Sequence, residues 1–216
     1  MKIACVGYRE WALEIYDALA GNAQHEFLIL RSKDEFSEDV ILDFNPELVL
    51  FYGWSWIVPP TLIKKFKCIM LHPSPLPKYR GGSPLQNQII SGETKGAVTL
   101  FIMDEGLDTG PIVATQSISL EGDLGDIFKR ITKSGISLTI KLLQEGLHPV
   151  PQNEAEATSF KRRKPEESEI TLNEIREQTS DFLYNKIRML QPPYPNAYIR
   201  TADGKKLLIL NARIED

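Results

Sequence analysis

Short apolar runs alternate with amphipathic stretches through the first two thirds of the chain. Residues 2–7 form a β-branched run ending at Gly7, the pattern of a buried strand. Residues 10–19 carry Trp11, Leu13, Ile15, Tyr16 and Leu19 at spacings that predict an amphipathic helix. Residues 27–30 read as a second strand. Ser37 caps a helix over 38–44, which Asn45-Pro46 ends. A third strand at 48–52 breaks at Gly53, Pro59-Pro60 opens a short helix to Phe66, and 68–71 reads as a fourth strand. Such alternation predicts parallel pairing with right-handed crossovers. The expected fold class is therefore α/β, a doubly wound, mostly parallel sheet.

Beyond His72 a Pro- and Gly-rich segment runs to Gly82 and precedes a helix over 84–91. Apolar runs at 97–103 and 111–118 flank the turn-rich DEGLDTG, and the longest helical pattern covers 124–147. After Pro149 the chain turns polar, with the basic cluster KRRK at 161–164. A helix is expected over 180–190. QPPYPN forms a rigid turn, and 197–200 with 206–210 flank Asp203-Gly204 as a hairpin. This divides the chain into a core, 1–150, and a small C-terminal extension of a helix and a β-hairpin, 151–216.

Apolar residues make up 42% of the 216 and charged residues 25%, which excludes a disordered or fibrous chain. Lys plus Arg is 25 against 29 Asp plus Glu, and a net charge of −4 is a poor footprint for bulk nucleic-acid binding. The two cysteines, Cys5 and Cys68, sit in strand-like runs, form no zinc or disulfide framework, and suit a reducing cytosol. The N-terminus has no secretory pattern, and the longest apolar stretch, 48–58, is too short to span a bilayer. The expectation is a cytoplasmic protein with neither a membrane nor a nucleic-acid partner.

Open α/β sheets bind ligands outside the carboxyl ends of their strands, where Gly7, Gly53, His72 and the loop 104–110 fall. The first turn, VGYREW, lacks the G-x-G-x-x-G of dinucleotide sites. His72 alone suits a structural role as well as a catalytic one. Asp108 alone, in a Gly-flanked loop, suits an Asx turn. Together they are more informative, because a carboxylate beside an imidazole fixes its tautomer and makes an acid/base pair.

The stretch HPSPLPKYRGGSPLQ (72–86), followed by GETKGAVTLFIMDEGLDTG (92–110), resembles the signature of 10-formyltetrahydrofolate-dependent formyltransferases. That signature reads N-x-H-x-S-x-L-P, then R-G, then D-x-G-x-D-x-G, and the similarity extends from Met1 to about Leu147. The resemblance implies a Rossmann-like formyltransferase fold, catalytic His72 and Asp108, 10-formyltetrahydrofolate as cosubstrate, and no metal. It places the pterin slot on Tyr52, Gly53, Trp54, Trp56 and Ile57, and on Asp104, Glu105, Gly106 and Leu107. One position departs from the pattern: the family's asparagine, two residues before the histidine, is Met70. A thioether cannot donate to a developing oxyanion, and losing such a donor costs about 2.7–4 kcal/mol. Another donor replaces it (a backbone N–H, a water, Gln86, Asn87 or a protonated His72), or the enzyme is slow, or the site has become a binding module.

FKRRKPEESEI followed by LQPPYPNAYI resembles the tail of sugar N-formyltransferases, and RGGSPLQN resembles those acting on UDP-linked 4-amino sugars in pseudaminic-acid-type pathways. The resemblance implies a small nucleotide-sugar acceptor held by Ser74, Lys78, Tyr79, Arg80, Gly81 and Gly82. Cations would pair with the diphosphate, and glycine backbone would allow its close approach, while Arg80 suits equally a structural salt bridge that pins the loop. KRRK reads as a solvated turn, with contact to a phosphate as the lesser reading. Tyr194 and Tyr198 suit either stacking on a base or packing of their turn. A methionyl-tRNA formyltransferase and a formyltetrahydrofolate hydrolase are the alternatives, beside the binding module. The apolar C-terminal hairpin is expected to pair two copies.

Overall fold

The computed structural model describes residues 1–21 and 24–215. The elements are β1 (Lys2–Val6), α1 (Glu10–Ala20), β2 (Glu26–Leu30), α2 (Glu38–Phe44), β3 (Leu48–Tyr52), α3 (Pro60–Lys65) and β4 (Lys67–His72). Then come β5 (Arg80–Gly81), α4 (Pro84–Ile90), β6 (Lys95–Ile102), β7 (Ile112–Ser119) and α5 (Leu124–Glu145). The rest are β8 (Ser159–Phe160), α6 (Leu172–Glu177), α7 (Ser180–Arg188), β9 (Ala197–Arg200) and β10 (Lys206–Ile209). Local signals act as the sequence implies. Ser37 Oγ accepts the Val40 N–H at 3.4 Å, and Asn45 closes α2 in the left-handed region, φ 48°.

The central sheet has the order β2-β1-β3-β4-β6-β7. Its first four strands are parallel, but β6 runs antiparallel to β4 and β7 antiparallel to β6. Parallel pairing thus stops at β4. His72 ends β4 opposite Thr99 of β6, so the chain between them stays at the carboxyl end of the parallel strands. The whole His72–Gly82 segment and α4 are thereby stacked at the end of the sheet where α/β folds carry their sites.

Period-two alternation sends neighbouring side chains to opposite faces. Ile3, Cys5, Leu48, Leu50, Ile69 and Leu71 pack against α1 and α5. Ala4, Val6, Val49, Phe51 and Cys68 pack with Ile41 of α2 and Leu62 of α3. Both thiols are free and buried. The sheet is covered on both faces, which is why its strands read as unbroken apolar runs.

Residues after 150 return to this core. Ile170, Ile187, Met189, Leu190 and Ala197 join the cluster that holds Ile3 and Leu50. The buried Arg188 guanidinium donates to the Leu120 and Gly122 carbonyls at 2.6 and 3.0 Å. The expected hairpin forms from β9 and β10, antiparallel. The parallel pair β5–β8 and the helix α6 are additions to the expected elements. Among the described residues no helix is long and apolar enough to cross a membrane.

Candidate active site

His72 and Asp108 lie on one cleft of about 1360 Å³, larger than the roughly 300–1,000 Å³ usual for a single small ligand. Both side chains are nearly buried, and His72 Nδ1 stands 3.6 Å from Asp108 Oδ2, an ion-pair distance rather than a direct hydrogen bond. The other ring nitrogen is 2.8 Å from the Tyr79 carbonyl. A carbonyl only accepts, so Nε2 carries a proton and Nδ1 is the nitrogen that gains or loses one. Asp108 adopts φ 55°, and its Oδ2 also accepts the Gly81 N–H at 2.7 Å. Among the described residues its Oδ1 has no hydrogen-bond partner, so this oxygen is open to a ligand.

The carboxylate is held from behind. Gln152 Nε2 donates to the carbonyls of Asp108 and Gly110 at 2.9 and 2.7 Å. Gln152 Oε1 accepts from Arg80 Nε and Nη2 at 3.0 and 2.8 Å, and the same guanidinium pairs with Glu154. Gln152 sits in a polar stretch with no motif, and nothing in its own surroundings along the chain marks it.

The expected pterin-slot residues divide. Gly53, Trp54, Trp56, Ile57, Asp104, Glu105, Gly106 and Leu107 line the cleft. Gly53 takes φ +61°, and a Cβ there would stand 2.8 Å from Arg9 Cβ, so the strand end can turn here only as glycine. Trp54 packs among Tyr8, Phe36 and Trp56, and its buried Nε1 has no hydrogen-bond partner among the described residues. Asp104 Oδ1 shapes the opposite loop by accepting from the Gly106 N–H and Thr109 hydroxyl at 3.0 and 2.8 Å. Tyr52 is the exception. Its ring stacks on Tyr16 in the core and its hydroxyl bonds Thr139 at 3.0 Å, because alternation along β3 turns it away from the cleft.

The expected acceptor residues divide as well. Gly81 and Gly82 line the cleft, but Ser74, Lys78, Tyr79 and Arg80 do not. Ser74 is buried and its hydroxyl donates to the Lys78 carbonyl. Lys78 points to solvent. The Tyr79 ring stacks on Phe160 and its hydroxyl donates to Glu93, which leaves only its backbone carbonyl for the site. Arg80 has its guanidinium committed to Gln152 and Glu154. The cations on the cleft wall come from elsewhere: Arg9, the 161–164 loop, expected as a solvated turn, and Lys64, which pairs with Glu105 at 3.2 Å.

Met70 also lines the cleft, two residues before His72 and on the same face of β4. Among the described residues no group of three or more His, Cys, Asp or Glu side chains could hold a metal ion.

A paired imidazole and carboxylate thus stand on one cleft of a mixed α/β sheet, between an aromatic slot and a basic wall. The formyl transferase family model matches residues 14–143, and the chain belongs to that family. It is 34% identical over 183 residues to the methionyl-tRNA formyltransferase of Bacillus thuringiensis, covering 81% of this chain and 56% of the relative. The chain thus spans about half the length of the curated relatives it matches. A solved methionyl-tRNA formyltransferase from Clostridium thermocellum superposes with TM-score 0.86 at 32% identity, over 97% of each chain. Two more distant structures share the fold, each at 20% identity. HypX from Aquifex aeolicus in complex with tetrahydrofolic acid gives TM-score 0.83 over 98% of this chain and 37% of that one. A 4-N formyltransferase from Francisella tularensis gives 0.82 over 100% and 98%.

Proposed function

We propose that this chain transfers the formyl group of 10-formyltetrahydrofolate to the amine of a nucleotide-linked amino sugar, of the UDP-linked class, in the cytoplasm. The observation that carries this reading is the His72–Asp108 pair between the aromatic slot and the basic wall. The slot suits a pterin: Trp54, Trp56 and Ile57 give it an apolar side, and the 104–107 loop brings carboxylates and backbone groups to the other. Tetrahydrofolate in a structural relative and a 4-N formyltransferase among others support the two ligands.

The amine nitrogen bonds the formyl carbon, the bond from that carbon to the folate nitrogen breaks, and the proton released by the amine ends on that nitrogen. Asp108 Oδ1 accepts the amine's proton; His72 Nδ1, protonated at the outset, gives its own proton to the folate nitrogen as that bond breaks and is then reprotonated from Asp108. Protonated at Nδ1, His72 donates toward the formyl oxygen while charge develops there, the role that Met70 cannot fill. The cleft supplies position, and no covalent intermediate on the protein is needed.

The second reading, methionyl-tRNA as acceptor, is favoured by the 34% and 32% identities to enzymes so described. Against it, residues 151–216 carry eleven acidic and eleven basic side chains, no net footprint for an RNA backbone. Incubating the purified chain with 10-formyltetrahydrofolate and UDP- or dTDP-linked amino sugars tests the proposal by mass spectrometry. A gain of one formyl group supports it. Formylation of methionyl-tRNA alone assigns the second reading, and formate release without an amine makes the chain a hydrolase.

A further inference from the structure

The peptide that joins Lys78 to Tyr79 is gripped at both ends. Ser74, fully buried, donates its hydroxyl to the Lys78 carbonyl at 2.8 Å. The Tyr79 N–H of the same peptide donates to Thr158 Oγ1 at 2.9 Å. Thr158 is fixed in turn: its N–H donates to the Pro77 carbonyl at 3.2 Å, and its carbonyl accepts the Arg80 N–H at 2.8 Å. Ser74 is fixed as well. Its carbonyl accepts the Thr99 hydroxyl at 2.6 Å, and Thr99 stands opposite His72 in the β4–β6 register. Neither Ser74 nor Thr158 lines the cleft, so whatever they do for the site they do through another group.

That group is the next carbonyl along. Tyr79 adopts φ 61°, a left-handed backbone that costs a bulky residue energy and persists only where the surroundings over-determine it. With the preceding peptide held and φ in this region, the Tyr79 carbonyl stands 2.8 Å from His72 Nε2. Asp108 Oδ2 stands 3.6 Å from the other ring nitrogen. A neutral imidazole has one proton for these two acceptors. A carboxylate is intrinsically the stronger acceptor and, with the carbonyl gone, would draw the proton to Nδ1. The ring's free lone pair would then lie on Nε2, on the side away from Asp108, and could not be recharged from that carboxylate. The close bond to the Tyr79 carbonyl keeps the proton on Nε2 and leaves Nδ1 as the exchanging atom.

We propose that Ser74 and Thr158 are positioning residues for His72: by holding the Lys78–Tyr79 peptide from both ends they aim the Tyr79 carbonyl at Nε2 and fix the tautomer in which Nδ1 exchanges its proton with Asp108. The proposal rests on the reading of His72 and Asp108 above and deepens it. It also gives the segment after residue 150 a part in the chemistry, since Gln152 holds the carboxylate loop and Thr158, a few residues further on, helps to hold the imidazole.

Nitrogen-15 NMR of the ring nitrogens, on the full chain without substrate, decides it. The chain has three histidines, and the spectrum of His72→Ala identifies the His72 signals by their loss. At a pH where the ring is neutral, the parent should carry its proton on Nε2. In Ser74→Ala and in Thr158→Val the proton should move toward Nδ1. In Thr158→Ser, which keeps the hydroxyl, it should stay on Nε2. Formyl transfer to the UDP-linked amino sugar gives the second readout: kcat should fall about tenfold in Ser74→Ala and about threefold in Thr158→Val, with both KM values within about twofold and most of the rate recovered in Thr158→Ser. Melting curves show that each variant is folded, and if Ser74→Ala is not, Thr158→Val, at an exposed position, carries the test. The proposal is overturned if the neutral parent ring carries its proton on Nδ1, or if either folded variant keeps the parental tautomer, whatever its kcat. Failure of the formyl-transfer reading would look different, as the same change of tautomer with no formylated product from the parent.

Discussion

The side-chain amide of Gln152 donates to the Asp108 carbonyl at 2.9 Å, and the same residue's oxygen receives the Arg80 guanidinium. Asp108 sits in the left-handed backbone region, which a non-glycine residue holds only when its surroundings fix it. Glu154, Arg80 and Gln152 therefore act as a clamp on the loop that carries the carboxylate. Gln152→Ala should lower kcat by about tenfold to a hundredfold with both KM values nearly unchanged. Steady-state kinetics on folded protein checks this, and a variant with parental kcat would reduce the clamp to a structural role.

Gly82→Ala should disturb the opposite wall. The new methyl would meet the Arg162 backbone at 2.2–2.3 Å, and backbone cannot swing aside as a side-chain tip can. A stability loss of about 1–3 kcal/mol is expected, with weaker acceptor binding and intact folate binding. Denaturant titration and the two KM values read the outcome.

Much of this was legible in the residues. Strands β1 to β4 announce themselves because burial on both faces leaves uninterrupted apolar runs. Ser37 and Asn45 mark the ends of α2 by local bonding alone. The helix α6 has a local mark of its own: Thr171 followed three positions later by Glu174, whose reciprocal bonds form a capping box. The pair β5–β8 had no such mark, since two-residue strands have no period and Arg80 meets Ser159 only in the folded chain. The same limit explains the acceptor residues. Whether an arginine is spent or free is a tertiary fact, so the sequence leaves Arg80 open to a phosphate or to a salt bridge, and only the folded chain shows its guanidinium bonded to Gln152 and Glu154. Alternation in β3 was enough to turn Tyr52 inward, but a neighbouring Gly53 and Trp54 drew it into the slot.

The extension contributes stability through Lys186. Its buried ammonium donates to Glu174 Oε1 at 2.5 Å and to the Glu169 carbonyl at 2.6 Å. Burial works to raise the Glu174 carboxyl, but bonds from Lys186 and Thr171 outweigh it and hold it below its ordinary 4.5. The unfolded chain therefore takes up the proton first. The contribution is complete above 4.5 and fades as pH falls through the lower folded value. Glu174→Gln should cost about 2 kcal/mol at neutral pH, and the difference from the parent should shrink in acid. Urea titrations from about pH 3 to about pH 7 measure it.

Met70 tests how the oxyanion is served. If His72 Nδ1–H is the working donor, Met70→Asn should change kcat/KM by less than about tenfold, under about 1.4 kcal/mol. A gain of about a thousandfold would show that the parent lacks a donor the asparagine restores.

The central claim is that His72 and Asp108 act as one unit on a formyl group. Single-turnover transfer from 10-formyltetrahydrofolate to the amino sugar, followed by mass gain, addresses it in the parent, His72→Ala, Asp108→Ala and the double variant. The account predicts losses of about a thousandfold in each single variant and little further loss in the double. Transfer that persists within about tenfold in His72→Ala, or losses that multiply in the double variant, would contradict it.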